Sequence, residues 1–352
     1  DLQDQAMAYG SGHSRFDENK RAVRDKNLGP LVKTQMTRCI HCTRCVRFAT
    51  EIAGVEELGA TGRGEGMEVG TYVERALTSE LSANIIDLCP VGALTSKPYE
   101  FVARPWELSR TETIDVMDGV GSNIRVDSRG SEVLRILPVL NEDINEEWIS
   151  DKTRFSCDGL KRQRLDTPYI RRDGTLFEAS WDEAFAAIAE NLENKEGDKI
   201  AAITGDLVDC ESIMALGDLM NGLGSPHTDC RQDGAKLESR VRASYIFNTT
   251  ISGIEDADVC LIVGSNPRLE AALVNARIRK RWLSGKLAVG MIGPEVDLTY
   301  PYQYLGGGSK ALNEIANDSH PFCKTLKDSK RPMIILGQGA LTNDDGGKVL
   351  ST

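Results

Sequence analysis

Three cysteines fall within seven residues, in Arg38-Cys39-Ile-His-Cys42-Thr-Arg-Cys45-Val-Arg47. A three-residue step sets successive thiolates around one small centre. Iron in a sulfur-bridged cube asks for soft thiolate donors, one per iron, so three leave one iron without a protein ligand. No cysteine occurs between Cys45 and Cys89, which stands in Asp87-Leu-Cys89-Pro90-Val-Gly-Ala-Leu. The proline lacks an N–H and fixes φ, turning the chain away from the centre. Cys39, Cys42, Cys45 and Cys89 therefore predict one 4Fe–4S cluster. A zinc knot is the competing reading, but zinc sites usually present two Cys-x-x-Cys pairs and the second pair is missing.

Cys-Pro is a common ending of ferredoxin-type motifs, where the fourth cysteine often serves a second cluster. Only one set of ligands exists here, so Cys89 is assigned to the same cluster. Lys33, Arg38, Arg44 and Arg47 crowd the motif in an otherwise acidic chain. Cations and N–H donors beside a negatively charged cluster raise its potential, although any one of these charges is equally well a solvated surface group. His41 lies between ligands and is expected to point away from the iron. His13, His227 and His320 have no partner spacing. Cys157, Cys210, Cys260 and Cys323 read as ordinary buried cysteines, and Cys230 as a structural thiol.

The cysteines need elements to hold them. Residues 1–30 are polar with little periodicity, and a helix is predicted over 78–87, just before Cys89. Gly62-x-Gly64-x-Gly66 reads as a loop, with no strand before it and no capped helix after it as a dinucleotide fingerprint requires. Arg104-Pro105-Trp106 reads as a hinge. Ile124-Arg-Val-Asp and Glu132-Val-Leu-Arg-Ile alternate in polarity around Ser128-Arg-Gly-Ser, a hairpin signal. Ser180-Trp-Asp-Glu183 is a capping box. Apolar runs at 199–204, 259–263, 287–292 and 333–336 alternate with helical stretches at 212–223 and 268–283, which implies a parallel α/β sheet.

The chain has 352 residues, a net charge of −11 and 40% hydrophobic residues. The acidic balance argues against nucleic acid, which wants a basic face. No apolar run reaches the ~18 residues of a membrane span, so direct membrane insertion is not expected. Nine cysteines with one tight knot favour a metal site in a reducing compartment over a secreted disulfide framework. The first residue is Asp and the end follows a glycine-rich turn, so the chain reads as part of a longer subunit.

Beyond the cysteines, Val32-Lys-Thr-Gln-Met-Thr-Arg-Cys39, Arg47-Phe-Ala-Thr-Glu-Ile-Ala-Gly-Val55, Asn84-Ile-Ile-Asp-Leu-Cys89-Pro-Val-Gly-Ala-Leu-Thr-Ser-Lys-Pro98 and Asp143-Ile-Asn-Glu-Glu-Trp148 form a specific pattern. With it, essentially the whole chain resembles the large iron–sulfur subunits of respiratory complex I, the NADH:ubiquinone oxidoreductases. The resemblance implies that a 2Fe–2S domain and a His/Cys-ligated 4Fe–4S site belong to an N-terminal part outside this chain, and that the α/β region continues beyond it. Some bacterial members hold a further cluster where this chain has Asp115, Asp118, Ser122 and Ser150, groups that do not hold an iron–sulfur cube. That site reads as emptied. From Arg154 onward, Cys157-Asp-Gly-Leu, Arg164-Leu-Asp-Thr-Pro168, Trp181-Asp-Glu-Ala-Phe and Ile262-Val-Gly-Ser-Asn-Pro267 resemble the molybdopterin oxidoreductases, the last as a turn able to cradle a nucleotide phosphate.

The fold expected is an α+β iron–sulfur domain (1–104), a small β unit with the degenerate cluster site (105–160) and an incomplete α/β molybdopterin-oxidoreductase-like domain without molybdenum (161–352). The function implied is electron relay in the peripheral arm of complex I, on the matrix side of the mitochondrial inner membrane. Electrons pass from the 51 kDa flavin subunit toward the iron–sulfur subunits that lead to quinone. The relay needs no acid–base residue, and no catalytic residue is nominated. A molybdopterin enzyme such as a formate dehydrogenase catalytic subunit is the rival from another class. It needs a molybdenum ligand and an intact cluster motif before the α/β region, and Asp115 and Asp118 stand against it. A purely structural scaffold leaves four cysteines at cluster spacing unexplained. A hydrogenase diaphorase subunit shares the cluster motifs but would normally be shorter.

Overall fold

The computed structural model describes residues 2–71, 73, 75–230, 233–238 and 240–352. Its contacts divide the chain into two units, one of residues 1–157 with 240–337 and one of 158–239 with 338–351. This partition by contact differs from the sequence-based division at 104 and 160, which concerns domain ancestry.

The first unit opens with helix α1 (Leu2–Tyr9), in the polar start that shows little periodicity. Strand β1 (Val32–Thr34) leads into the cysteine loop. Helix α2 (Arg44–Arg47) continues into a π-helical turn, Phe48–Ala53, which Gly54 ends at φ 75°. Strands β2 (Gly59–Thr61) and β3 (Glu68–Gly70) pair antiparallel, so a strand does precede the glycines. It belongs to a hairpin rather than to a dinucleotide-binding unit. The helix predicted over 78–87 is confined to α3 (Asn84–Leu88). Before it the chain runs through three-residue turns, with Ser82 N–H on Ser79 O and Asn84 N–H on Leu81 O. Ser79 Oγ also takes the Leu81 N–H at 3.2 Å, the local competition by which serine disfavours helix interiors. Strand β4 (Leu94–Ser96) returns to pair antiparallel with β1.

Arg104-Pro105-Trp106 forms a capped 3-10 turn rather than a free hinge, with Glu107 accepting from the Arg104 N–H at 2.7 Å. Strands β5 (Ser109–Ile114), β6 (Asn123–Arg129) and β7 (Glu132–Pro138) make an antiparallel sheet in that order. The predicted hairpin joins the last two through Gly130 at φ 62°. Helix α4 (Asp151–Phe155) follows, capped by Ser150. The Asn84 side chain, 1% exposed, donates to Leu81 O and Ile149 O and accepts from Ile149 N–H. It thereby ties α3 to the segment after the sheet.

The second unit holds an antiparallel hairpin of β8 (Tyr169–Arg172) and β9 (Thr175–Glu178). Helix α5 (Trp181–Leu192) starts at the predicted capping box, Ser180 and Glu183. Strands β10 (Ala201–Ile203) and β11 (His227–Asp229) pair in parallel around helix α6 (Cys210–Gly222). Cys210 and Cys230 are exposed, which corrects the expectation of buried, structural thiols, whereas Cys157, Cys260 and Cys323 are buried. Cys210 is the first residue of α6, at its exposed start.

The remaining part of the first unit is a parallel sheet of β12 (Val259–Val263), β13 (Ala288–Ile292), β14 (Gln303–Gly306) and β15 (Pro332–Leu336), in the order β14-β13-β12-β15. Helices α7 (Pro267–Glu270) and α8 (Ala272–Leu283) connect β12 to β13. β12 is buried on both faces, as its unbroken apolar run requires. Cys260 and Ile262 point into a core shared with Leu28, Met36, Phe48 and Ile85 of the cysteine segment. Val259, Leu261 and Val263 point to the other face, against Leu305 and Phe322.

Two consequences are measurable. Asn84→Ala leaves the Ile149 N–H and C=O buried without their partner. Denaturant unfolding is expected to show a loss of about 2–4 kcal/mol, since each orphaned buried group costs roughly 1–3 kcal/mol. Asp127 on β6 is held at 2.8 Å by Arg125 and at 2.7 Å by Arg135, and Arg135 lies 4.7 Å over the Tyr99 ring. Burial pushes the Asp127 carboxyl up, but the two guanidiniums outweigh it and hold it below the ordinary carboxylate range. A depressed folded pKa stabilises above the unfolded value, 3.8, and that stabilisation disappears as pH falls through the folded value. Unfolding midpoints of the wild type should therefore drop more steeply below about pH 4 than those of Asp127→Asn, and parallel curves would contradict this account.

Candidate iron–sulfur centre

The centre is built on the β1–β4 pair. Val32 stands opposite Ser96 and Thr34 opposite Leu94, and Gln35 N–H extends the ladder to Ala93 O at 2.8 Å. This sets the segment entering Cys39 beside the segment leaving Cys89. Cys39 ends the 3-10 turn Met36–Arg38, with its N–H on Met36 O at 3.1 Å. Cys45 sits in α2, and Cys89 ends α3 with its N–H on Ile85 O at 3.1 Å. His41 and Thr43 both take the left-handed conformation, at φ 54° and 57°. Two such residues between the cysteines curl the loop inward. Non-glycine residues held this way cost energy and cluster at functional sites.

All four cysteines line one cavity, together with the apolar Leu28, Met36, Leu58, Val69 and Leu94. Cys42 is exposed and the other three are partly buried. Burial pushes the Cys45 thiol up to about 11; the Val46 N–H opposes this, and negative charge on Cys39, Cys42 and Cys89 adds to it. The His41 N–H points at Cys39 Sγ, 3.5 Å away, a donor of the kind that tunes cluster sulfur. Four soft donors around an apolar cavity, with an N–H on one sulfur, fit a 4Fe–4S cluster.

The expected cations divide. Arg44 lines the cavity. Arg38 reaches Gly92 O in the turn after Cys89, at 3.5 Å. Arg47 pairs with Glu51 at 3.0 Å, and Lys33 is exposed on β1. Lys26, overlooked in the sequence, lines the cavity and pairs with Glu68 at 2.8 Å. Arg154 was overlooked too. Buried to 5% exposure, it pairs with Asp87, two residues before Cys89. Nothing in the sequence near Asp87 signals so distant a partner. His41 is absent from the cavity lining, in keeping with the expectation that it points away.

The four substituted positions also come together. Asp115 N–H donates to Ser122 O at 2.8 Å, and Thr153 Oγ1 donates to Asp115 Oδ2 at 2.7 Å. Ser150 Oγ lies 2.8 Å from the same Thr153 hydroxyl. Burial raises the Asp118 pKa, the Val120 N–H opposes, and the Asp115 charge adds to the rise. Lys152 is 4.0 Å from Asp118. Ser122 Oγ is buried with no hydrogen-bond partner among the described residues. Oxygens, not sulfurs, occupy this corner.

Comparison with known proteins matches three family models along the chain. Residues 29–95 match the model of the NADH-quinone oxidoreductase subunit 3 ferredoxin-like domain. Residues 108–158 match the NADH-ubiquinone oxidoreductase NDSU1/NuoG-like 4Fe-4S domain, and 164–352 match molybdopterin oxidoreductase. The mitochondrial NADH dehydrogenase [ubiquinone] iron-sulfur protein 1 of Solanum tuberosum is 57% identical over all of this chain and 48% of its own length. An NADH-quinone oxidoreductase subunit of Rickettsia felis is 55% identical over 100% of this chain and 52% of its own. The 78 kDa subunit of Neurospora crassa NADH-ubiquinone oxidoreductase is 55% identical over 100% of this chain and 48% of its own. The chain thus spans about half the length of the curated relatives it matches. Ferredoxin-like 4Fe–4S domains are followed by a molybdopterin-oxidoreductase-like region in a mixed α/β chain. Identity of 52–57% along 99–100% of its length shows that the chain belongs to the family of the iron–sulfur 75 kDa subunit of NADH-ubiquinone oxidoreductase.

Proposed function

We propose that this chain relays electrons through one 4Fe–4S cluster held by Cys39, Cys42, Cys45 and Cys89. The observation that carries the reading is the β1–β4 ladder, which delivers Cys89 to the cavity lined by the three loop cysteines. A cluster bound there supplies one-electron storage and transfer. The thiols hold it, Leu28, Met36, Leu58, Val69 and Leu94 exclude water from one side, and the His41 N–H offsets negative charge on the Cys39 sulfur. Cys42 is the exposed ligand, and its edge is the natural approach for a neighbouring redox centre.

The relay belongs to the peripheral arm of NADH:ubiquinone oxidoreductase, between the 51 kDa flavin subunit and the iron–sulfur subunits leading to quinone. The arm lies on the matrix side of the mitochondrial inner membrane. No helix among the described residues is long and apolar enough to cross a membrane. Residues 1–104 form the cluster domain, 105–160 the β unit with the lost cluster site, and 161–352 the partial α/β domain, without molybdenum. A 2Fe–2S cluster and a second 4Fe–4S cluster reside in the N-terminal part of the complete subunit.

Replacing any one of the four cysteines by alanine should abolish one 4Fe–4S signal in electron paramagnetic resonance. It should also increase proteolysis within residues 31–100, because binding the centre and folding around it are coupled. Full iron content in Cys89→Ala would falsify the assignment of the fourth ligand. Elemental analysis of the purified protein should find iron without molybdenum or tungsten; a stoichiometric signal for either would restore the molybdopterin-enzyme reading.

A further inference from the structure

The parallel sheet reverses at β12, with β13 and β14 on one side and β15 on the other. In open parallel sheets, ligands bind outside the carboxyl ends of the strands at such a reversal. A nucleotide phosphate placed there needs unpaired N–H or hydroxyl donors, an open turn and a cation. The turn in question is Gly264-Ser265-Asn266-Pro267, directly after β12 and inside the stretch that matches molybdopterin oxidoreductase.

The turn's cation and three of its donors are already engaged within the chain. The Gly264 N–H donates to Ile292 O and the Gly337 N–H to Val263 O, both at 2.8 Å. The Asn266 N–H donates to Glu270 Oε1 at 2.7 Å, and the Ser265 hydroxyl donates to Glu270 Oε2 at 2.9 Å. One carboxylate therefore takes two donors of the turn, one on each oxygen, as an oxyanion would. The turn's cation is Arg268, and it is spent on Glu80 at 3.0 Å and Asp297 at 2.6 Å. The strand ends also lie close together. A Cβ on Gly337 would lie 2.2 Å from Gly264 O, and one on Gly293 3.5 Å from Gly264 Cα. The ends of β12, β13 and β15 thus meet backbone to backbone.

We infer that Glu270 is a resident anion that plugs the phosphate turn, so that this sheet rejects nucleotide phosphates, those of a pterin dinucleotide included. A pterin cofactor does not fit the residues present. The inference deepens the molybdenum-free reading of the α/β region and rests on it. Its test reads phosphate binding rather than metal content, so the two can fail separately. A carboxylate that merely capped the short α7 would stabilise the turn without bearing on which anions enter it, and the same test tells the two roles apart.

The test uses the cluster-loaded complete subunit as wild type, Glu270→Gln and Glu270→Ala, titrated calorimetrically with guanosine diphosphate and, separately, with inorganic pyrophosphate. Thermal unfolding at each ligand concentration gives a second readout that registers whether each variant is folded. The wild type should show no saturable binding and no ligand-dependent rise in melting temperature. Glu270→Ala, which frees both donors and removes the charge, should bind at least tenfold more tightly than wild type. Glu270→Gln, which keeps the size and loses the charge, should fall between them. Wild-type binding equal to that of the variants would overturn the plug. So would folded variants that bind no better than wild type, because the carboxylate would then not be what keeps anions out.

Discussion

A single iron–sulfur cube needs four thiolates at once, and the four cysteines proposed to supply them lie in two stretches far apart in the chain. Everything around the centre follows from closing that gap. The closure is a short one: three residue pairs between β1 and β4, extended by the Gln35–Ala93 hydrogen bond. A ladder of that length is weak in isolation. It is held by what packs on it, since Val32 and Leu94 belong to the large core that also contains Cys260, Ile262 and Met291 of the parallel sheet. The sheet thus acts as the backing plate of the cluster segment, whatever chemistry its fold supports in other proteins.

Charge is used in the same way. Arg277 of α8, 6% exposed on its side chain, is shared between Glu146 and Glu255, and Lys280 reaches the same two carboxylates. Arg279 donates to Thr50 O at 2.8 Å and to Thr299 O, and its guanidinium lies against Gly54, where a Cβ would collide. A cation on the carbonyls of the π-helical turn after α2 is the arrangement a helix C-terminal end favours. These arginines join α8 to the cysteine segment and to the loop after β7. Buried or half-buried charges that each have a partner act as fixed ties, and breaking one partner is costly. The same helix pair carries Glu270 and Arg268, so the region that would face a nucleotide is committed to internal bonding.

The first unit contains two corners with different donor sets. At one corner, sulfur donors surround an apolar cavity. At the other, Asp115, Asp118, Ser122 and Ser150 occupy a comparable cluster of turns, where the side-chain oxygens of Asp115, Asp118 and Ser150 bond to Thr153 and to backbone N–H groups and the Ser122 hydroxyl has no partner among the described residues. Hard oxygen ligands do not replace thiolate in a cube. A hydrogen-bonded network of the right size can hold the turns in place of a cluster.

The amino-acid sequence by itself determined the donor types: four cysteines at cluster spacing, a proline that turns the chain after the last, and oxygen-bearing rather than sulfur-bearing side chains at Asp115, Asp118, Ser122 and Ser150. It also determined the elements whose signals are local, namely the 128–131 hairpin, the capping box at Ser180 and the apolar strands β12, β13 and β15. These are read from residues a few positions apart, where steric and hydrogen-bonding preferences act directly. Tertiary structure alone decided the rest. Strands of three residues such as β1, β4 and β11 have too few side chains to show a period. The helix before Cys89 was cut back to Asn84 because Ser79 bonds its own turn. The partners Asp87–Arg154 and Arg268–Glu80 are joined by neither spacing nor pattern. The carboxylate of Glu270 takes its place only once β12 and α7 have folded against each other. Long-range pairing depends on which surfaces the core brings together, and that is a property of the packed chain.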